Sequence, residues 1–226
     1  MQDLIVVGGG EHARVVIEAA QSVPERWRIL GFIDPAPCEE TANRMRLPRL
    51  GDHDSLARYS EAALVLGVGS RGIDGRRRPA VEQSGASPAR WAIVIHRTAW
   101  VSPTADLGVG SVVFAGAAIN TGARIGSHCI VNTHACVEHD AALGEFVHAG
   151  PGSVVAGGAR VGADSYLGMG SLVRDHRTIG RNCLVGMGAA VTTNYGDGAK
   201  LLGVPAKDIR RERNIDLKSA ADNVSK

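Results

Sequence analysis

Aromatic side chains are scarce: three Trp, three Tyr and three Phe in 226 residues. A core without rings must be filled by small aliphatics, and 29 glycines point to a repetitive, closely wound backbone. No charge of one sign is in excess, with 25 basic against 23 acidic side chains and a net charge of +2. That balance calls for neither nucleic acid nor an anionic membrane as partner. No segment approaches the ~18 continuous apolar residues of a membrane span, and the chain opens on the strand-like "DLIVVGGG" rather than a leader. The four cysteines, Cys38, Cys129, Cys136 and Cys183, form no CxxC pair. A cytoplasmic protein with reduced thiols is expected. The densest basic run, Arg76-Arg77-Arg78, reads as a solvated helix face, with a phosphorylated ligand as the alternative.

What is present divides at residue 94. Residues 1–94 alternate strand and helix patterns. "LIVVGGG" is a buried strand entering a glycine turn, and "EHARVVIEAAQ" has the 3.6-residue period of a helix. "RILGFID", "AALVLGVG" and "WAIVIH" are further strands, with a helical "GRRRPAVEQSG" before the last. The expectation is a small parallel α/β, Rossmann-like domain.

From Ile95 the period becomes six. Every sixth residue from Ile95 to Val191 is apolar, seventeen in a row, with Ala149 the one that is not Ile, Leu or Val. Four residues further on, from Ala99 to Ala189, fourteen of sixteen positions are Ala, Ser or Cys, the exceptions being Val147 and Arg177. Alternate large and small inward positions every six residues predict a parallel β-helix of hexapeptide repeats over 95–205. Three hexapeptides make a coil of 18 residues, and Gly108, Gly126, Gly144, Gly162 and Gly180 repeat at that spacing. Residues 18 apart then stack at roughly 4.8 Å. The open coil ends need caps, for which the α/β half and the segment after Val191 are available. The polar residues 206–226 form a tail whose last dozen are frayed or a short surface helix. Cys129 and Cys183 fall at small inward positions and read as core.

"GGGEHA" (Gly8 to Ala13) fits G-x-G-x-x-A between strand and helix. Such a turn lets a helix N-terminus face a phosphate. Asp34, ending the second strand, is spaced to accept from a ribose hydroxyl. A turn needed only for packing is the alternative. About ninety residues cannot hold two mononucleotide halves, so a single nucleotide or a nucleotide-linked sugar fits better than NAD. Gly67, Gly69 and Ser70 follow the third strand, where ligands of open α/β sheets bind.

Most of the eight histidines need no function; His53, His96, His128 and His176 have no defensible partner pattern. His134 and His139 have the H-x4-H spacing of a β-helical zinc site, but two coils before His134 stands Thr98. A third ligand is missing, and no metal is expected. His139 is followed by Asp140, a carboxylate that orients the ring and favours its protonated form, as suits a general base. Gly157, 18 residues on, stacks one coil away, where its N–H can donate to a developing oxyanion. A turn residue with no task is the alternative for His139. His148 is half a coil from His139, on another face. The two converge only where neighbouring chains pack side by side, which predicts an oligomer with sites at its interfaces.

The blocks "VGGGEHARVV", "IVIHRTAWVSPTA", "IVNTHACVEHDAALGEFVHAGPGSVVAGGARVG", "YLGMGSLV", "LVGMGAAVTTN" and "LGVPAK" closely resemble bacterial sugar acetyltransferases with a left-handed β-helix. That family includes nucleotide-aminosugar N-acetyltransferases and sialic acid O-acetyltransferases. The resemblance implies a homotrimer that uses acetyl-CoA. It implies that His139 is the general base and that Asp140 raises its basicity. It further implies that Gly157 faces the acetyl carbonyl, that His148 contacts acetyl-CoA, and that Met169 and Met187 border the CoA arm. Asn132 matches a residue near the sugar amine, and Gly10, Glu11, His12 and Asp34 match the nucleotide site. Pro35 departs from members that place a second acid after the aspartate. The expected reaction is direct acetyl transfer to a nucleotide-linked 4-amino-4,6-dideoxy sugar, with O-acetylation of a sialic acid type acceptor as the alternative.

Overall fold

The computed structural model describes residues 1–210. The N-terminal half is a four-stranded parallel sheet of β1 (Gln2–Val7), β2 (Trp27–Ile33), β3 (Arg49–Gly51) and β4 (Ala63–Leu66), in the order β3-β2-β1-β4. Three helices, α1 (Glu11–Gln21), α2 (Glu39–Met45) and α3 (Arg77–Gln83), accompany it. The helix α1 buries Ala13, Val16, Ile17 and Ala20, the i, i+3, i+4, i+7 face its sequence announces. The elements α2 and β3 escape the sequence patterns because a three-residue strand is too short to express a period. "WAIVIH" divides: Trp91 makes a single parallel bridge to Leu64, while Val94–Ile95 pairs with Val112–Val113 in the first coil of the second half.

The second half is a parallel β-helix. Two-residue strands recur every six residues and stack into faces of five, eight and six strands. From Val94 to Val191 the strands pair at a register of 18, as in Cys136↔Val154 and Ile130↔His148, and the last coil shortens to 16 at Leu184↔Lys200. The large inward residues Val113, Ile119, Val131, Val137, Val155 and Leu167 are fully buried, as are the small Ala123, Cys129, Ala141 and Ser153. Some inward hydroxyls and thiols are met by the next coil: Ser111 Oγ donates to Gly126 O and accepts from Cys129 N–H, and Cys129 Sγ–H donates to Gly144 O, whereas Ser153 and Ser171 Oγ are buried without a partner among the described residues. Burial pushes the Cys129 thiol up to about 12. It is an inert core residue. The 18-residue glycine ladder has a steric cause, since a Cβ on Gly126 or Gly144 would stand 2.6 or 2.5 Å from the backbone nitrogen of the coil above.

The α/β half does not close the open first coil, as the sequence reading expected. Ile95, Val101 and Leu107 stay partly exposed there. It lies instead against the outside of the eight-stranded face, where Val112, Phe114 and Ile130 join Leu4, Val6, Val16 and Ile17 in one buried cluster. Three apolar residues on an outward face leave no stable arrangement but a packed one. Truncating Phe114 at this junction costs about 3–5 kcal/mol. At the other end Lys200–Leu202 continues the eight-stranded face and Lys207–Asp208 pairs antiparallel with it, which covers its edge. The tail reading for the last dozen residues lies outside the described residues.

Candidate active site

Each turn of the β-helix passes three corners, and the predicted residues sort by corner. His139 and Asp140 lie between the strand Cys136–Val137 of the six-stranded face and Ala142–Leu143 of the five-stranded face. Asp140 has a left-handed backbone, φ 59°, and its N–H is held by Thr121 O. Its side chain is thereby turned back toward His139, and Asp140 Oδ2 stands 3.0 Å from His139 Nδ1. A carboxylate only accepts, so Nδ1 carries the proton and Nε2 is left as the basic nitrogen. Both side chains are solvent-exposed. The pair therefore orients the ring and adds little stability.

His139 packs the Nε2 edge of its ring against Gly157. A Cβ there would stand 2.5 Å from Nε2 and 2.7 Å from Cε1. Gly157 has no left-handed φ to demand glycine. The imidazole alone demands it. The Gly157 N–H makes no backbone hydrogen bond among the described residues, whereas its neighbour Gly158 N–H donates to His139 O. A free donor and a free basic nitrogen thus share one corner.

The second group lines a cleft of about 520 Å³ between the α/β half and the eight-stranded face. Gly10, Glu11, His12, Asp34, Gly69 and His148 all border it. Asp34 is held by the Gly9 N–H at 2.7 Å and the Ala36 N–H at 2.8 Å, so its carboxylate is fixed at the mouth. The glycines divide by cause. A Cβ on Gly9 would meet Phe32 and Cys38 within 2.8 Å, and one on Gly67 would meet Val6 and Ala13 within 2.9 Å. Packing explains both. A Cβ on Gly10 would meet nothing within 4 Å, at an ordinary φ of −77°. Gly10 precedes α1, whose N-terminus has no side-chain cap, so the empty space lies where an anion binds a helix.

The buried His148 and the half-buried His12 form the cleft floor. Their ring centroids are 6.2 Å apart, and His12 also makes an edge contact with Phe114 at 5.5 Å. Burial, with a smaller push from Arg77, lowers His12 to about 4 and His148 to about 3. The tautomer of His148 follows from its neighbours. Thr133 N–H donates to Asn132 Oδ1 at 2.8 Å, which turns the Asn132 amide nitrogen toward His148 Nε2, 3.1 Å away. Nε2 therefore accepts, and Nδ1 carries a proton that has no partner among the described residues. His12 Nε2 is likewise buried without one.

Asn132 opens the corner between the eight- and six-stranded faces, on which Met169 and Met187 stand exposed at higher coils. One chain thus gathers Gly10, Glu11, His12, Asp34, Gly69, Asn132 and His148 about the cleft, and His139, Asp140 and Gly157 at a different corner. His148 belongs to the cleft group, beside His12. No three His, Cys, Asp or Glu side chains cluster to hold a metal among the described residues.

Sequence reasoning missed Arg77. The basic triplet is not all solvated: Arg77 is buried at 5% exposure, and its guanidinium donates to Phe146 O at 3.1 Å and to His128 O. The signal was available, for Arg77 lies three and four residues before Ala80 and Val81, on the packed side of α3.

Residues 3–73 match the family model of the PglD N-terminal domain. No curated protein sequence matches the chain. Among solved structures, the acetyltransferase domain of PglB from Neisseria gonorrhoeae, in complex with acetyl coenzyme A, is 32% identical, with 92% of this chain and 98% of that one aligned at a TM-score of 0.79. A mutant of the perosamine N-acetyltransferase of Caulobacter crescentus, in complex with CoA and GDP-perosamine, is 35% identical over 92% and 96% at a TM-score of 0.77. WeeI from Acinetobacter baumannii, 20% identical over 92% and 99% at a TM-score of 0.69, shares the fold.

Proposed function

The chain belongs to the hexapeptide-repeat bacterial sugar N-acetyltransferases, and on that premise we propose that it acetylates a nucleotide-linked 4-amino-4,6-dideoxy sugar from acetyl-CoA. The observation that carries the reading is the His139 ring lying on Gly157, a basic nitrogen beside an unengaged backbone N–H. The amine lone pair bonds to the thioester carbonyl carbon. The Gly157 N–H donates to the resulting oxyanion, a contact worth about 10²–10³ in rate. His139 Nε2 removes the proton from the amine nitrogen, and Asp140 holds the ring and steadies the imidazolium. The C–S bond then breaks, and the imidazolium returns its proton to the departing thiolate. No covalent enzyme intermediate is needed; burial raises the Cys129 thiol, and burial with Glu138 beside it pushes Cys136 up to about 11.

The nucleotide belongs in the cleft, its phosphates at Gly10 and the first turn of α1, and Asp34 accepts from the ribose. The unpartnered His148 Nδ1–H and His12 ring face the sugar, with Asn132 beside them; for His148 this replaces the acetyl-CoA contact that the resemblance implies, because its ring lies on the cleft floor beside His12. The exposed Met169, Leu172 and Met187 suit the pantetheine arm. Because His139 sits at another corner from this cleft, the reading requires a neighbouring chain to bring its own His139 to it. A homotrimer with interfacial sites satisfies that requirement. The reading divides the chain into a nucleotide-sugar domain over 1–94, a transferase domain over 95–205 and a tail over 206–226. No described helix is long and apolar enough to cross a membrane, and we assign the activity to the cytoplasm, where acetyl-CoA and nucleotide sugars are made.

A panel of UDP-, dTDP- and GDP-linked amino sugars and free sialic acid, with CoA thiol release as readout, tests the reading. Turnover of a nucleotide-linked amine is expected; turnover of sialic acid alone transfers the assignment to O-acetylation. His139→Ala should lose about 10²–10⁴ in kcat with the oligomer intact, and a fully active variant removes His139 as base.

A further inference from the structure

We propose that Arg77 is a positioning residue for the acceptor cleft, fixing the His148 ring against His12 by clamping one corner of the β-helix to the α/β half. The proposal rests on the function proposed above. Arg77 touches no part of the cleft group directly. Its guanidinium bonds the carbonyls of His128 and Phe146, which stand one coil apart at the corner between the five- and eight-stranded faces, both left-handed at φ 56° and 57°. Their rings stack at 4.9 Å, and Trp91 closes on His128 from the α/β side at 4.9 Å.

Phe146 is two residues before His148, with the core residue Val147 between them. A shift of the Phe146 carbonyl therefore moves the cleft floor. On the other side, Arg77 follows directly on Arg76, and Arg71 and Arg76 form the cleft wall. One buried side chain thus sets the wall through its own backbone and the floor through Phe146. The neighbouring Arg78 lies over the Phe146 ring at 4.2 Å and pairs with Asp164 one coil further on at 3.0 and 3.1 Å, but it bonds neither carbonyl, so it does not duplicate the clamp. Removing Arg77 leaves two carbonyls buried without donors, and the corner must move to hydrate them.

The charge has a second consequence for the same two rings. After burial itself, Arg77 is the next cause holding both His12 and His148 neutral. His148 must be neutral to accept from Asn132, since a proton on Nε2 would set N–H against N–H.

The test compares Arg77→Met and Arg77→Lys with wild type, in the full-length protein, on whichever UDP-, dTDP- or GDP-linked amino sugar the wild type turns over. Arg77→Met is expected to raise the acceptor KM about tenfold or more while the acetyl-CoA KM stays within twofold, and Arg77→Lys to recover part of the difference. A structural role alone would lower the active fraction and leave both KM values in place, which overturns the proposal, as does a parallel rise in both. Should Arg77→Met not fold, Arg77→Lys decides: an acceptor KM equal to wild type refutes it. Should the wild type turn over none of the sugars, the proposed function falls, and the clamp is judged on histidine ring NMR of the unliganded protein. The His12 and His148 rings should begin to protonate at higher pH in the variant, and unchanged titration refutes the clamp.

Discussion

The sharpest test of the catalytic corner uses two adjacent glycines that are required for opposite reasons. An added methyl on Gly157 would stand 2.5 Å from His139 Nε2. Ordinary carbon–nitrogen contact is about 3.5–4.0 Å, so the imidazole must retreat by roughly 1 Å. A displacement of that size between reacting groups costs about 10²-fold. The backbone of Gly157 is not left-handed, so Gly157→Ala should melt within a degree or two of wild type. Gly158 is the converse. Its φ is +65°, and a methyl there meets His176 rather than His139. An alanine at that φ costs about 1–2 kcal/mol, which lowers Tm by about 2–8 °C in a chain of this size. The measurements are steady-state thiol release at saturating substrates and thermal melts of both variants. The expected outcome is a stable, nearly inactive Gly157→Ala and a less stable Gly158→Ala whose kcat stays near wild type. If Gly157→Ala keeps more than a third of the wild-type kcat, His139 does not act from its position on Gly157.

Gly10→Ala should fold normally, because its Cβ meets nothing and its φ is ordinary, yet lose about tenfold or more in nucleoside diphosphate affinity by calorimetry. Asp140→Asn, which tolerates the left-handed φ of 59°, should cut kcat roughly tenfold while leaving Tm unchanged, since an exposed pair orients without stabilising; a large loss of Tm would contradict that. His12 and His148 have folded pKa values depressed to about 4 and about 3. The unfolded chain binds their protons first, so their contribution to stability is complete above pH ~6.5 and is lost as pH falls through the folded values. Tm should therefore fall steeply between pH 6.5 and 4. His148→Gln should flatten that slope by about one proton, ~1.4 kcal/mol per pH unit, and an unchanged slope contradicts the burial of a neutral ring.

The β-helix was legible because its period is set by backbone stacking. Every sixth residue must point inward, so Val113, Ile119 and Val131 announce themselves, and Gly126 and Gly144 must be glycine where coils touch. The pairing of His139 with Gly157 was legible for the same reason, as a separation of 18. The corner proposed as catalytic followed from one-dimensional spacing. The glycine turn was half legible. Sequence could not separate Gly9, which packing requires, from Gly10, which it does not, because that distinction depends on what a Cβ would meet.

Tertiary structure alone decided the rest. Where the α/β half sits depended on Phe114 and Ile130, whose outward apolar character is invisible until a face is assigned to them. That docking carried His148, distant in sequence from the glycine turn, onto the cleft floor beside His12. It also buried Arg77, which composition had assigned to solvent. A repeat fixes contacts at constant separation, and a sequence displays such contacts as periodicity. A junction between two unlike halves has no period, so its contacts exist only once the surfaces have met.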